Sequence, residues 1–221
     1  KGLMAILPMG RGNDFATNLG INSLEKAFKV LNSRVYVEAK YLNLEFNGLF
    51  GKIGLTCAGL GILSTAAHRA TTIPFLKGRA LYLVAAIVSL IKLRSYTYKI
   101  QMDGQYLNFN SIILVVAAGK YTGGGLAIAP KVNSFEGKLN LLVAKKINKL
   151  RALNLVRKVV TGNHLGDQAV ESRFGKYFQI ETDTKDLFGK YVYADGEYQG
   201  DAPVKISIGK DPLKVLVSNG K

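Results

Sequence analysis

A glycine turn near the start of the chain decides how the fold begins; it reads Pro8-Met9-Gly10-Arg11-Gly12-Asn13-Asp14-Phe15-Ala16. A strand-like apolar run, Leu3–Leu7, precedes the turn and an amphipathic segment follows it, which predicts a strand, a turn and a helix. Backbone N–H groups at a helix N-terminus favour phosphate oxygens, and the two glycines allow a ligand to approach closely. Capping of the helix by the Asn-Asp pair explains the same residues equally well.

Composition limits the class of protein. The chain has 221 residues, 48% of them hydrophobic, which suffices for one good core or for a core with a smaller lobe. With one cysteine, Cys57, and two histidines, neither a disulfide framework nor a zinc site is expected, and the compartment is expected to be reducing. No apolar run reaches the length of a membrane span, and no secretory signal is expected. The net charge of +15 indicates an acidic partner: nucleic acid, an anionic membrane surface or a polyphosphate nucleotide.

The chain divides into two patterns. Residues 1–33 alternate strand, turn and helix, with a second helix capped at Ser23. From Arg34 the chain becomes strand-rich, with a hairpin turn at Asn47-Gly48 and a return strand over residues 49–58. Helices are predicted over 59–93, with a break near Pro74, and over 145–160. Further strands are predicted at 96–102, 106–108, 112–116, 139–143, 177–180, 191–193, 204–208 and 213–217. Many short strands joined by glycine-containing turns are typical of a sandwich, so the fold class is predicted to be α+β.

Three further segments have residue types that carry chemistry. Three consecutive glycines, Gly123-Gly124-Gly125, require either a bulge or a close approach of the backbone to a neighbour. Glu136-Gly137 lies in a loop that enters a strand, a pattern that is often just a turn. Asp195-Gly196-Glu197 is either a solvated hairpin turn or a pair of carboxylates on one strand face, each raising the other's proton affinity.

These segments, taken in order with the first turn, resemble the diacylglycerol kinase catalytic-domain family. The family groups bacterial and organellar lipid kinases, is related to sphingosine kinases and is distantly related to NAD kinases. Its signatures are Pro-x-Gly-Thr-x-Asn-Asp-Phe-Ala, Asn-Gly-x-x-Gly-Gly-Gly and Asp-Gly-Glu. The resemblance implies that residues 1–33 are the C-terminal part of an α/β nucleotide-binding domain. Residues 34–221 would be a β-sandwich-like domain for the lipid substrate and the catalytic base, with the last strand free to return toward the first domain.

The resemblance also implies an activity and a set of roles. An ATP-dependent lipid kinase would transfer the γ-phosphate to a hydroxyl of diacylglycerol or of a related lipid. Glu197 would be the general base, oriented by Asp195. ATP would lie against a set of residues in the first turn: Gly10, Arg11, Gly12, Asn13 and Asp14. One Mg²⁺ would bridge the phosphates, and a structural Mg²⁺ would be held by the Glu136 side chain and by the carbonyls of Asn133 and Lys138.

The sequence departs from the family pattern at three positions. Arg11 stands where the family has threonine, and it would either pair with phosphate or block the pocket. Ala118 replaces an asparagine, and Glu136 replaces an aspartate. The family's Gly-Gly-Asp-Gly-Thr loop would lie before Lys1, so the chain alone is expected to be inactive. These departures keep two alternatives open: a non-catalytic lipid- or membrane-binding protein of the same fold, and a related NAD kinase.

The predicted basic helix favours an anionic membrane surface as partner. Six cationic residues cluster here: Lys145, Lys146, Lys149, Arg151, Arg157 and Lys158. A solvated helix face explains such a cluster too, but a lipid substrate must be reached in its bilayer. A cytoplasmic protein, peripheral at the inner membrane surface, is therefore expected, with a homodimer as a further expectation. Nucleic acid is not expected as a partner, because only charge favours it and no recognition motif is present.

Overall fold

The computed structural model describes residues 2–218. Its helices are α1 (Asp14–Asn18), α2 (Leu24–Leu31), α3 (Ile62–Thr72), α4 (Gly78–Ser89), α5 (Lys149–Thr161) and α6 (Leu187–Lys190). The strands of the first half are β1 (Val35–Ala39), β2 (Leu42–Phe46), β3 (Leu49–Gly54), β4 (Cys57–Gly61), β5 (Tyr96–Met102) and β6 (Gln105–Ala117). Those of the second half are β7 (Leu139–Lys145), β8 (Val170–Gly175), β9 (Tyr177–Glu181), β10 (Tyr191–Ala194), β11 (Glu197–Asp201), β12 (Val204–Ile208) and β13 (Leu213–Val217).

A large antiparallel sheet forms most of the molecule. Its strand order is β11-β10-β4-β6-β5-β9-β12-β2-β3, and β7 and β8 extend it from β6. Strands with alternating apolar residues turn those residues inward; in β5, for example, Tyr98, Ile100 and Met102 are buried and Lys99 is exposed. They pack on Phe178 and Ile180 in one continuous core. The predicted α+β class with a β-sandwich-like domain is confirmed.

A second, smaller cluster joins the two ends of the chain. β1 pairs with β13, and Ala39 and Val215 pack with residues of α1 and α2. The division predicted at residue 34 stays a prediction; β1, which follows it, packs in this cluster. The strand predicted at Leu3–Leu7 is wrong, because only Met4 forms a bridge, to Val215. The chain bends soon afterwards, since the Met9 N–H donates to the Leu7 carbonyl.

Several local predictions are confirmed and others are corrected. The Ser23 hydroxyl accepts from Lys26 N and caps α2 as predicted. The two strands predicted at 106–108 and 112–116 are one strand, β6, because it pairs with β5 along its first half and with β4 and β7 along its second. Strands β8 and β11 were not predicted. The basic helix begins at Lys149 rather than Lys145, because Lys145 ends β7 and the Asn148 side chain caps α5.

The segment between β2 and α4 builds one wall of the main cleft. The predicted return strand over residues 49–58 is split into β3 and β4 by a loop at Leu55-Thr56. The predicted helical stretch starts later, at Ile62, because Gly59 and Gly61 belong to β4. A Cβ at Gly59 would lie 2.5 Å from the Leu114 carbonyl oxygen, so glycine lets β4 lie close against β6. Among residues 2–218, no helix is both long and apolar enough to cross a bilayer.

Candidate active site

A cleft of about 620 Å³ collects the residues predicted for the nucleotide and for the base. It is lined by Gly10–Asp14, by the Leu55-Thr56 loop, by Tyr82 of α4 and by Asp195–Glu197. These segments are far apart in sequence and meet where the small cluster faces the large sheet. The cleft thus brings the first turn and the last carboxylates together, while their individual roles stay predictions.

Asn13 shapes the first turn from within. Its backbone is left-handed (φ 56°), its Oδ1 accepts from Gly10 N at 2.8 Å, and its Nδ2 donates to the Gly10 carbonyl at 2.9 Å. The side chain makes no capping hydrogen bond to α1, so the capping expectation is wrong for Asn13. The turn is closed by its own asparagine, which leaves the backbone of Gly12 facing the cleft.

Arg11 points its side chain at the connection between α3 and α4. The guanidinium donates to the Ile73 carbonyl at 2.6 Å and to the Leu76 carbonyl at 3.2 Å. Its own carbonyl accepts from Gly78 N at 2.8 Å. In this arrangement Arg11 ties the turn to the α3–α4 connection, and a phosphate contact for its side chain stays a prediction.

Asp14 is held by the glycine motif. Its carboxylate accepts from Gly125 N at 2.7 Å and from Gly124 N at 3.1 Å. Burial raises the pKa of Asp14, and the nearby Asp195 raises it further, while the glycine N–H groups oppose the shift. A Cβ at Gly124 would lie 2.3 Å from the Gly78 carbonyl carbon, and the residue has a φ of +75°. The glycines are therefore required for close approach to α4 and for presenting N–H groups to Asp14.

A second strut fixes the same segment to α1. The Asn18 amide donates to the Tyr121 carbonyl and accepts from the Tyr121 N–H, both at 2.9 Å. Ala118, which departs from the family pattern, is buried and donates its N–H to the Thr56 carbonyl at 2.8 Å. The glycine motif is thus positioned through backbone contacts on both sides, and Ala118 brings no polar side chain.

Asp195 closes the opposite wall. Asp195 and Gly196 are the two residues of a hairpin turn (φ 51° and 89°) between β10 and β11, so the prediction of two carboxylates on one strand face is wrong. The Asp195 carboxylate accepts from the Thr56 N–H at 2.9 Å, from the Thr56 hydroxyl, and from the N–H groups of Leu55 and Cys57. It fixes the loop between β3 and β4.

Glu197 differs from both aspartates. It begins β11, is exposed and lines the cleft. Among residues 2–218 its carboxylate has no hydrogen-bond partner. Of the cleft carboxylates, Glu197 is thus the one whose oxygens are not already used by backbone N–H groups.

Tyr82 lies between the motifs and was not singled out from the sequence. A Cβ added at Gly123 would lie 3.4 Å from the Tyr82 Cβ, and one added at Gly12 would lie 3.6 Å from the Tyr82 ring. A Cβ added at Gly196 would lie 3.3 Å from the Tyr82 hydroxyl. Burial raises the pKa of Tyr82, and the Asp14 charge adds to the effect. The phenol therefore stays protonated at the junction of the glycine turns. In the sequence, Tyr82 lies in an apolar helical segment that predicts core packing, so no local pattern indicated a position in the cleft.

Apolar cavities continue from the cleft into the domain. A cavity of about 90 Å³ begins at Asp14, Cys57 and Asp195 and runs between α3, α4 and β6. A second, of about 100 Å³, lies under α5. The residues common to both walls are Ile62, Ala86, Ile113, Leu126 and Ile128. The polar cleft thus adjoins the first apolar cavity, which in turn adjoins the second, through shared wall residues.

A histidine stands in the wall of the second cavity. His164 is buried, and its Nε2 lies 2.8 Å from the Ile128 carbonyl, whereas its Nδ1 has no partner among the described residues. Burial lowers the pKa of His164, so the imidazole is neutral. No local sequence pattern predicts its position beside an apolar cavity.

The predicted structural metal site is folded as a self-contained turn. Asn133 Nδ2 donates to Glu136 Oε1 at 3.0 Å, and the Asn133 carbonyl accepts from Glu136 N at 3.1 Å. Both Asn133 and Glu136 thus use potential ligand oxygens as acceptors for each other's N–H groups. In this conformation these two oxygens already have N–H donors and are not arranged around a common point for Mg²⁺. The ligand set Asn133, Glu136 and Lys138 stays a prediction.

Comparison with known proteins gives the family. Residues 56–217 match the model of the YegS C-terminal NAD kinase beta sandwich-like domain. The chain is 27% identical over 217 residues to a diacylglycerol kinase of Mycobacterium tuberculosis (strain ATCC 25618 / H37Rv), covering 96% of this chain and 68% of that protein. It is 23% identical over 201 residues to a diacylglycerol kinase of Bacillus subtilis (strain 168), covering 90% of this chain and 64% of that protein.

A solved structure agrees in fold. A diacylglycerol kinase from Bacillus anthracis strain Sterne superposes with a TM-score of 0.71 at 19% identity, covering 99% of this chain and 68% of that one. At this identity the likeness concerns the fold alone. With the domain match, it leads to one conclusion: the chain belongs to the diacylglycerol-kinase-like family of lipid kinases.

Proposed function

We propose that the protein phosphorylates a hydroxyl of diacylglycerol or of a related lipid, with ATP and its bound Mg²⁺ as the donor. One observation carries the proposal: the carboxylate-lined cleft adjoins an apolar cavity, and Asp14, Tyr82 and Asp195 stand in the walls of both. A polar substrate such as a dinucleotide has no use for apolar walls, whereas a lipid needs both environments. The diacylglycerol kinases among the relatives agree with this substrate class.

The proposed chemistry assigns a different task to each carboxylate. Glu197, whose oxygens are uncommitted, would accept the proton of the lipid hydroxyl as that oxygen bonds to the γ-phosphorus; the bond from the γ-phosphorus to the bridging oxygen breaks, and ADP leaves. Asp195 keeps the Leu55-Thr56 loop in place with four hydrogen bonds and thereby positions the turn that carries Glu197. Asp14, fixed by two glycine N–H groups, holds the nucleotide side of the cleft in register.

The acyl chain would occupy the apolar cavities. Ala86 lies in the walls of both, whereas Ala80 is on the outside of the same helix. Replacing Ala86 by phenylalanine adds bulk to the wall that both cavities share, away from the cleft carboxylates. Ala80→Phe adds the same bulk outside and serves as the matched control.

The test uses the full-length protein, with the nucleotide loop that the resemblance places before Lys1, and measures transfer of labelled γ-phosphate to a panel of lipids in detergent micelles. The protein should label diacylglycerol or another long-chain alcohol, and Ala86→Phe should lower kcat/KM for long-chain acceptors by at least about tenfold while Ala80→Phe does not. Labelling of NAD instead of lipid, or equal activity of both variants, would contradict the proposal.

A second candidate is a lipid-binding protein without kinase activity. It is favoured by the saturation of Asp14 and Asp195 with backbone N–H donors, and by an Arg11 side chain bonded to main-chain carbonyls. Binding of lipid with no labelled product from any acceptor would select it.

A further inference from the structure

The outer faces of α4 and α5 are apolar although they face solvent. Along α4 and its continuation, Val84, Ile87 and Ile91 follow a spacing of three and four residues and are exposed. On α5, Leu150 and Leu153 continue the same kind of stripe. Ile91 is 66% exposed and Leu150 is 81% exposed. A surface helix ordinarily turns polar residues outward, so this paired stripe is a candidate interaction surface.

Contacts place the two stripes side by side. Lys149 Nζ donates to the Ile91 carbonyl at 2.7 Å, which brings the end of the α4 stripe to the start of the α5 stripe. The inner faces of the same helices line the apolar cavity, through Ala86 and Leu90 of the α4 region and Leu155 of α5. The two helices therefore form a roof that is apolar on both sides, with the cavity beneath.

The charges around this roof are predominantly positive, and the nearby carboxylates of Glu171, Asp167 and Asp186 are each already paired with a cation. Residues 46–102, which include all of α4, contain no aspartate or glutamate, and their seven cationic residues are Lys52, Arg69, Lys77, Arg79, Lys92, Arg94 and Lys99. In the predicted basic cluster, Lys145 pairs with Glu171, and Arg151 and Lys158 pair with Asp167. Lys146, Lys149 and Arg157 have no carboxylate partner among residues 2–218. Arg157 follows Leu150 and Leu153 at helical spacing, so it borders the stripe.

We infer that the outer α4–α5 face rests on an anionic lipid bilayer. Apolar side chains would enter the acyl boundary while the surrounding lysines and arginines meet anionic headgroups. A second copy of the chain fits less well, because it would bring the same positive charge to the same face. The choice of a bilayer as the occupant rests on the proposed function; the surface itself does not. Docking in this way would also bring a membrane lipid close to the cavity beneath the roof.

Vesicle binding without ATP tests this inference. The probe is flotation with phosphatidylcholine vesicles, with or without phosphatidylglycerol. Ile91→Gln with Leu150→Gln should weaken binding by at least about tenfold. The matched control is Ile53→Gln with Leu49→Gln, which removes the same residue types from β3, where they are 52% and 75% exposed. The control should change binding by less than about twofold.

The charge arm uses variants on the same surface. Lys146→Gln with Arg157→Gln should weaken binding to phosphatidylglycerol vesicles by about fivefold for each residue, whereas the exposed pair Lys52→Gln with Lys176→Gln should have a smaller effect. Salt should reduce the difference.

Three results would overturn the inference. They are absence of vesicle binding by the unmodified protein, equal loss in both apolar double variants, and a dimer in solution that only the α4–α5 variant dissociates. The last would assign the face to a second copy. Because the proposed kinase is assayed in micelles, lipid phosphorylation without vesicle binding would refute this inference alone, and vesicle binding without phosphorylation would refute only the proposed function.

Discussion

The Asp195 turn and the Glu136 loop have similar sequences but very different surroundings. Each is an acidic residue followed by glycine between strands. The Asp195 carboxylate binds a loop about 140 residues away, through four hydrogen bonds that help assemble the cleft. Within the described residues 2–218, Glu136 bonds only to Asn133, three residues earlier. An acidic residue followed by glycine thus gains a structural role through the distant backbone groups that it binds. The sequence of the motif alone does not reveal those partners.

The largest stability effect is expected where glycine is sterically required. Gly124→Ala places a Cβ against the Gly78 backbone at positive φ, so unfolding free energy should fall by about 3 kcal/mol or more. Gly137→Ala is the control in the other loop, because a Cβ there meets nothing within 4 Å. Urea unfolding of both variants checks this; equal stabilities would break the contrast between the two regions.

Removing the carboxylates should give a smaller difference of the same kind. Asp195→Ala strips the Leu55-Thr56 loop of its acceptor and should cost about 2 kcal/mol, discounted for the exposure of the side chain. Glu136→Ala should cost less than about 0.5 kcal/mol. Hydrogen exchange at Thr56 should rise in the first variant only, and protection that survives Asp195→Ala would count against its positioning role.

The smallest expected effect is a pH dependence of opposite sign at two aspartates. Burial raises the pKa of Asp14 in the folded state above its ordinary 3.8. As pH rises, Asp14 therefore ionises in the unfolded chain before it ionises in the folded protein. The free energy of unfolding falls as pH rises from 3.8 through the pKa of the folded state. The free energy of unfolding of Asp14→Asn minus that of the native protein should increase as pH rises from 3.8 through the pKa of folded Asp14.

Asp167 is the opposite case. The Ala169 N–H, Arg151 and Lys158 hold the pKa of its carboxyl below 3.8. The stabilisation by ionised Asp167 is fully present at pH values above the pKa of the unfolded chain. It is lost as pH falls through the lower pKa of the folded protein. Asp167→Asn should therefore have a lower free energy of unfolding than the native protein near neutral pH, and this difference should shrink as pH falls. Urea unfolding at several pH values checks both aspartates, and parallel trends would show that the assigned causes are wrong.

Local signals predicted the fold better than the site. Alternating apolar residues gave β5 with its observed bounds, and the Asn47-Gly48 hairpin has the positive φ values that its sequence predicts. Asp195-Gly196 carries the same signal, and its interpretation as a strand was wrong. The resemblance brought the cleft residues together, but the hydrogen bonds of Asp14 to Gly124 and Gly125 span more than 100 residues. No local pattern encodes such contacts, and Tyr82 had the spacing of an ordinary core residue.

The central claim is that Glu197 is the uncommitted carboxylate of a lipid kinase cleft. The most direct measurement compares lipid phosphorylation by Glu197→Gln with that by Glu136→Gln. We predict a loss in kcat of at least about 100-fold for Glu197→Gln with unchanged folding, and nearly native activity for Glu136→Gln. Native activity in Glu197→Gln would contradict the account.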